Sequence, residues 1–199
     1  MPNSRKPYYE AVKSILETNI FYHSLALEAC MGGIYDYLSS QNRLNPFEPP
    51  KDDWLLAGLI HDIDYTPEMK DTHPSKTNEA LSKNGLSVSD NILQIVKAHG
   101  WHYPGGVEPE SFAQWAIYCA DSLTGLIIAV ALVYPSRKLS DVKTSSVLKR
   151  FLKEPKFAAG TRREEVKLCE LETGLNIPLE KFIEICLTSM QKIASDIGL

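Results

Sequence analysis

The chain reads as an all-α protein. Apolar residues recur at helical spacing through most of its length, no segment of about four to eight residues alternates as a half-buried strand would, and helix start and stop residues fall beside the periodic segments. Helices are expected over about 7–18, 20–40, 51–63, 74–84, 89–100, 109–134, 140–153, 161–172 and 178–196. The first rests on periodicity alone. The second carries His23, Ala26, Leu27, Cys30 and Ile34 on one face. Asp52 and Asp53 precede WLLAGLI at the start of the third, and Pro74 suits the first position of the fourth, which Asn84-Gly85 stops. Ser89 caps the fifth and His99-Gly100 ends it. The sixth contains LIIAVALVY, and the last three follow periodicity again. RLNPFEPP (43–50) and YPGGVEP (103–109) are Pro- and Gly-rich loops. With no internal repeat, low-complexity tract or linker, residues 1–199 form one domain, in which everything from about 140 onward is a helical extension.

The bulk composition excludes several classes. A chain of 199 residues with 44% hydrophobic content can bury a proper core. Its charged residues, 23% with a net charge of −4, are interspersed and leave no electrostatic footprint for long nucleic acid. The longest uninterrupted apolar run, Leu126 to Tyr134, falls short of the roughly 20 residues of a membrane span. The stretch MPNSRKPYYEAV lacks the apolar region of a secretion signal. Cys30, Cys119, Cys169 and Cys186 are widely spaced among apolar residues, which suits buried reduced thiols. A cytoplasmic protein with no membrane partner is expected. Ile183, Ile185, Leu187, Met190 and Ile193 either form a homodimer surface or cover the core.

The ionisable residues break the pattern. All five histidines (23, 61, 73, 99 and 102) lie within 80 consecutive residues. His99 follows Ile92, Ile95 and Val96 on one face, and Asp121 shares a face with Ile117, Tyr118, Gly125 and Ile128. Three such groups therefore point inward from three helices. A buried carboxylate costs several kcal/mol unless it is paired, protonated or coordinated. Each group alone has an ordinary explanation: His23 or His99 as a hydrogen-bonded core histidine, Asp121 bonding a tyrosine or helix end, His102 as surface. Together, with no buried Lys or Arg in compensation, they are harder to explain so. The apolar LLAGLI runs straight into His61-Asp62. Neighbouring helix positions diverge by about 100°, so both reach one point only if the helix ends there. Asp64, Thr66 and Pro67 supply that ending, and Gly58 one turn earlier leaves room for another helix.

The ordered pattern His23, His61-Asp62 and Asp121, with the two histidines spaced 38 positions apart and the two aspartates 59, resembles the HD-domain superfamily of metal-dependent phosphohydrolases. HDIDY is similar to the HDIG-type signature and CADSLTGLI to the helix carrying the last aspartate; the likeness covers about residues 20–130, within a core region of about 20–135. Asp64 and Tyr65 stand where many members have Gly and Lys, so the lysine's role does not transfer. The resemblance implies a metal held by His23, His61, Asp62 and Asp121. A subset of the superfamily holds two ions, and His73 and His99 occupy positions similar to its extra ligands, with Asp62 bridging. In that case His102 is a third ligand or a substrate contact. With one ion, His73 is a helix N-terminal residue and His99 binds substrate. Asp62, Asp64 and His99 are the expected catalytic groups; Asp64 either orients a histidine as an acceptor or is a solvated helix-end residue.

Such imidazole and carboxylate donors suit Fe, Mn, Co, Ni or Zn. The implied activity is hydrolysis of a nucleotide or another small phosphorylated metabolite through a metal-activated water. Its phosphate needs cations, for which Arg137, Lys138, Lys70 and Lys76 are candidates alongside His102. The competing functions are a di-iron oxygenase of the same superfamily and a non-catalytic metal-binding sensor or scaffold.

Overall fold

The computed structural model describes residues 4–199. The first three residues of the expected domain, and of the stretch MPNSRKPYYEAV, lie outside that range. All regular structure among the described residues is helical: α1 (Arg5–Ile15), α2 (Thr18–Ser40), α3 (Lys51–Ile60), α4 (Thr77–Lys83), α5 (Asp90–His99), α6 (Phe112–Val133), α7 (Thr144–Lys153), α8 (Arg163–Lys167) and α9 (Leu179–Gln191), with four short 3-10 turns. Every expected segment contains a helix, and the differences are at the ends. Pro74 lies in a turn before α4 rather than at its first position, because α4 begins only at Thr77. The expected 161–172 helix tightens after Lys167 into a 3-10 turn, and the 178–196 segment gives way after Gln191 to another.

The two long helices organise the rest. α2 buries residues on all sides, including the consecutive Leu25, Ala26, Leu27 and Glu28, as a central helix must. It packs against α3, α6 and α9, while α5 packs against α3 and α6, and α8 lies on α6. Arg5 grips the buried Glu28 with two hydrogen bonds, of 2.5 and 2.8 Å, and so ties α1 to α2. A Ser111–Gln114 capping box starts α6. Glu48 closes the same end by accepting from the Phe112 and Ala113 amides.

By length and composition α6 is apolar enough to cross a membrane, which the shorter uninterrupted run in the sequence does not show; 67% of the apolar window is buried by its neighbours. The extension beyond residue 140 packs into the same hydrophobic core through Val147, Phe151, Val166, Phe182 and Ile183. Of the residues weighed as a dimer surface, Ile183, Ile185, Leu187 and Met190 are buried within the chain.

One contact positions the candidate site. A Cβ on Gly58 would lie 2.9 Å from both Cα and N of Glu28, so the α3 backbone presses directly on that of α2. The end of α3 is thereby held against the helix that carries His23.

Candidate metal centre

α3 ends at Ile60, and the chain then turns tightly, with the Ile63 amide donating to Ile60 O at 3.0 Å and the Tyr65 amide to Asp62 O at 2.7 Å. This turn resolves the divergence of adjacent helix positions. His61 and Asp62 reach one locus, where α2 contributes His23 and α6 contributes Asp121. His23 Nε2 lies 3.1 Å from His61 Nε2 and 2.9 Å from Asp121 Oδ1. Asp62 Oδ2 lies 3.2 Å from His61 Nε2 and 3.7 Å from His23 Nε2.

The other Asp62 oxygen faces a second group. Its Oδ1 is 3.4 Å from His73 Nε2 and 4.0 Å from His99 Nε2, and those two nitrogens are 2.7 Å apart. Two donor sets therefore share one carboxylate: His23, His61 and Asp62 form one, and Asp62, His73 and His99 the other. Each has ligand atoms within 4.8 Å of one another and can hold a metal ion.

Each of the four histidines at the centre is aimed by its other nitrogen. His61 Nδ1 donates to Gly58 O at 2.9 Å, and His99 Nδ1 donates to Val96 O. Thr124 donates its hydroxyl to Asp121 O and so accepts from His23 Nδ1, both at 2.8 Å. His73 Nδ1 donates to Asp64 Oδ1 at 2.7 Å. With the Nδ1 protons committed, neutral rings turn bare Nε2 lone pairs toward one another, an arrangement that repels unless a cation sits among them. Two nitrogens at a right angle on a six-coordinate ion, each at about 2.1 Å, would lie about 3.0 Å apart. That is close to the 3.1 Å between His23 and His61 and somewhat more than the 2.7 Å between His73 and His99. The donor set fits a metal, and its orienting partners are those of ligating histidines.

The electrostatics of Asp62, Asp121 and His99 agree, whereas His23 and His73 are pulled toward the protonated form by their carboxylate partners. Burial alone would raise the Asp62 and Asp121 carboxyls, but the surrounding imidazoles outweigh it and hold both well below the usual carboxylate range. Burial, with His61 and His73 beside it, pulls His99 down to about 3. Burial also lowers His23 and His73, yet the carboxylates of Asp121 and Asp64 respectively reverse the sign and leave both raised.

Asp64 does not stand as a catalytic group. It is wholly buried, with Oδ1 accepting from His73 and Oδ2 from the Lys76 amide at 2.9 Å, so neither oxygen is free to meet a substrate. The same burial excludes a solvated helix-end role and leaves that of acceptor. Asp64→Asn is expected to weaken metal binding about 10–100-fold at the His73/His99 set and leave the His23/His61 set unchanged. Titrating metal into the apo variant by calorimetry checks this.

A cleft of about 640 Å³ opens above the centre, lined by His23, Asp62, His73, His99 and Asp121 together with Tyr65, Lys70 and Tyr103. Three expected substrate contacts lie elsewhere. His102 is exposed and stacks on Trp101 at 4.6 Å, while Arg137 and Lys138 are exposed beyond the end of α6 and do not line the cleft. They lie past the last turn of a helix whose inward-facing carboxylate, Asp121, sits three turns earlier. Lys76 turns to Glu79 at 3.0 Å; Lys70 does line the cleft. Tyr65 lines it too and meets His73 edge-on with ring centroids 5.4 Å apart.

The residue that sequence reasoning missed is Arg162. Residues 158–162 (AAGTR), from the C-terminal extension, form one wall of the cleft. Arg163 moors this segment by donating to the Phe151, Glu154 and Phe157 carbonyls. Arg162 Nη2 then reaches Asp121 Oδ2 at 2.6 Å. The only signal in the sequence is a run of three small residues inside an otherwise charged segment.

Set against family models, curated proteins and solved structures, the chain matches none.

Proposed function

We propose that the chain is a metal-dependent phosphohydrolase acting on a nucleotide or another small phosphorylated metabolite. The observation that carries this reading is the division of Asp62, whose Oδ2 faces His23 and His61 while Oδ1 faces His73 and His99. A carboxylate so placed suits a pair of ions about 3.5–4 Å apart, as in two-metal hydrolytic sites. The ordered resemblance of His23, His61-Asp62 and Asp121 to the HD superfamily supports the same reaction class.

Divalent Fe, Mn, Co, Ni or Zn bound there would acidify a water and neutralise charge on phosphoryl oxygens. The chain's own residues do the rest. Gly58 O, Val96 O, Thr124 and Asp64 fix the tautomer and direction of the four imidazoles, so that little reorganisation is needed. Asp62 and Asp121 remain ionised and supply the counter-charge. The cleft lies in the size range of small-molecule sites, and its open side admits a substrate, which a purely structural metal would not need.

The test is a panel of phosphomonoesters, nucleotides and dinucleotides offered to protein loaded with each metal in turn, beside His61→Ala. Turnover that collapses in the variant supports the proposal. If nothing in the panel is hydrolysed and His61→Ala changes nothing, the proposal is lost. The four imidazoles also favour a second reading, an oxygen-using di-iron site; bound iron with substrate-dependent oxygen uptake and no phosphate release would establish that instead.

A further inference from the structure

We infer that Arg162 is the residue that grips the substrate's phosphoryl oxygens beside the metal centre; this rests on the phosphohydrolase reading and assigns one residue within it. Arg162 and Lys70 are the cationic side chains lining the cleft among the described residues. Lys70 is exposed, whereas Arg162 is held from several sides. Its Nε donates to Glu165 at 2.5 Å, Nη1 to the Tyr103 hydroxyl at 3.2 Å, and Nη2 to Asp121 Oδ2 at 2.6 Å. Its guanidinium also sits 5.7 Å from the centre of the Tyr103 ring.

A guanidinium carries five N–H bonds. These contacts use three, leaving one on each terminal nitrogen with no hydrogen-bond partner among the described residues. The side chain is 31% exposed and borders the cleft, so the remaining donors have somewhere to act. Two N–H groups on a planar, permanently charged fork match two oxygens of a phosphate. Burial would lower the proton affinity of Arg162, but Asp121 and then Glu165 outweigh it and raise it, so the charge is permanent at any working pH.

The location matters as much as the chemistry. Asp121 offers Oδ1 to His23 and Oδ2 to Arg162, so a single carboxylate separates the cation from the candidate metal position. A phosphoryl group at the metals would therefore come within reach of the fork. Arg162 is pre-positioned on the segment that Arg163 moors, and ordering it costs little when substrate arrives.

A purely structural role, in which Arg162 only steadies Asp121, predicts something different. The experiment uses the full chain loaded with Mn²⁺ and inorganic phosphate as the probe, with metal content measured by elemental analysis and phosphate affinity by calorimetry. Wild type should bind phosphate. Arg162→Gln should keep its metal and bind phosphate about 10–100-fold more weakly, the usual range for losing hydrogen bonds to a charged group. Arg162→Lys, which keeps the charge and loses the fork, should fall between them, and it carries the test if the glutamine variant fails to fold. Unchanged phosphate affinity in a metal-loaded variant overturns the inference. So does loss of metal with unchanged affinity in the fraction still loaded, or a metal-loaded wild type that ignores phosphate. A wild type that takes up no metal sinks the phosphohydrolase reading itself, a separate and distinguishable result.

Discussion

Asp62→Ala is expected to abolish metal binding at both donor sets at once. Among the described residues no other contributes to each: Oδ2 serves the His23/His61 side and Oδ1 the His73/His99 side. The clearest readout is thermal. An ion that binds only the folded chain stabilises it by about 2.7 kcal/mol when supplied at about 100 times its dissociation constant. For a chain of this size that corresponds to a melting temperature higher by about 5–10 °C. Wild type should show this rise on adding metal to chelator-treated protein, and Asp62→Ala should show almost none. On the proposed reading, hydrolysis should fall by orders of magnitude, since both donor sets would lose a ligand. A variant that keeps the full metal-dependent rise would show that the carboxylate is not shared.

Gly58→Ala is expected to destabilise the fold and the candidate site together. The added carbon would meet the Glu28 backbone at 2.9 Å, and neither helix has a flexible side chain there to move aside. Inserting a methyl into so tight a contact costs about 3 kcal/mol, a fall in melting temperature of about 6–12 °C. Chemical denaturation followed by circular dichroism would read it. Two functional groups sit on this contact: Gly58 O receives the His61 Nδ1 proton, and His61 begins the turn that ends α3. Parting α2 from α3 therefore separates His23 from His61, and metal affinity should fall even at temperatures where the variant stays folded. Wild-type stability in Gly58→Ala would mean that the two helices have room to separate.

The parts of the site that were legible in the sequence are those where a charged group interrupts an apolar face. His23, His99 and Asp121 each stand in a helical stripe that is otherwise core, and His61-Asp62 ends the apolar run of α3. Burying such groups without partners is expensive, so their presence announces a shared purpose before any coordinates exist. Helix positions were legible for the same reason, since a stripe of buried residues every third or fourth position is imposed by the core itself. Helix ends were less so. Pro74 satisfies the rule for a first helical residue, yet α4 starts three residues later, after the Asp64 carboxylate has taken the Lys76 amide.

The sequence by itself determined the helical class, the apolar faces and the histidines and aspartates that interrupt them, because these depend on periodicity and on the cost of burying charge, both local properties. Only the tertiary structure decided which oxygen of Asp62 faces which histidines, that Asp64 is sealed behind His73, and that Arg162 rather than Arg137 or Lys138 reaches the cleft. Those outcomes depend on how α2, α3, α6 and the segment before α8 meet across more than a hundred residues of chain. Charged side chains in loops carry no periodic mark, so nothing nearby in the sequence says which of them the packing will turn inward.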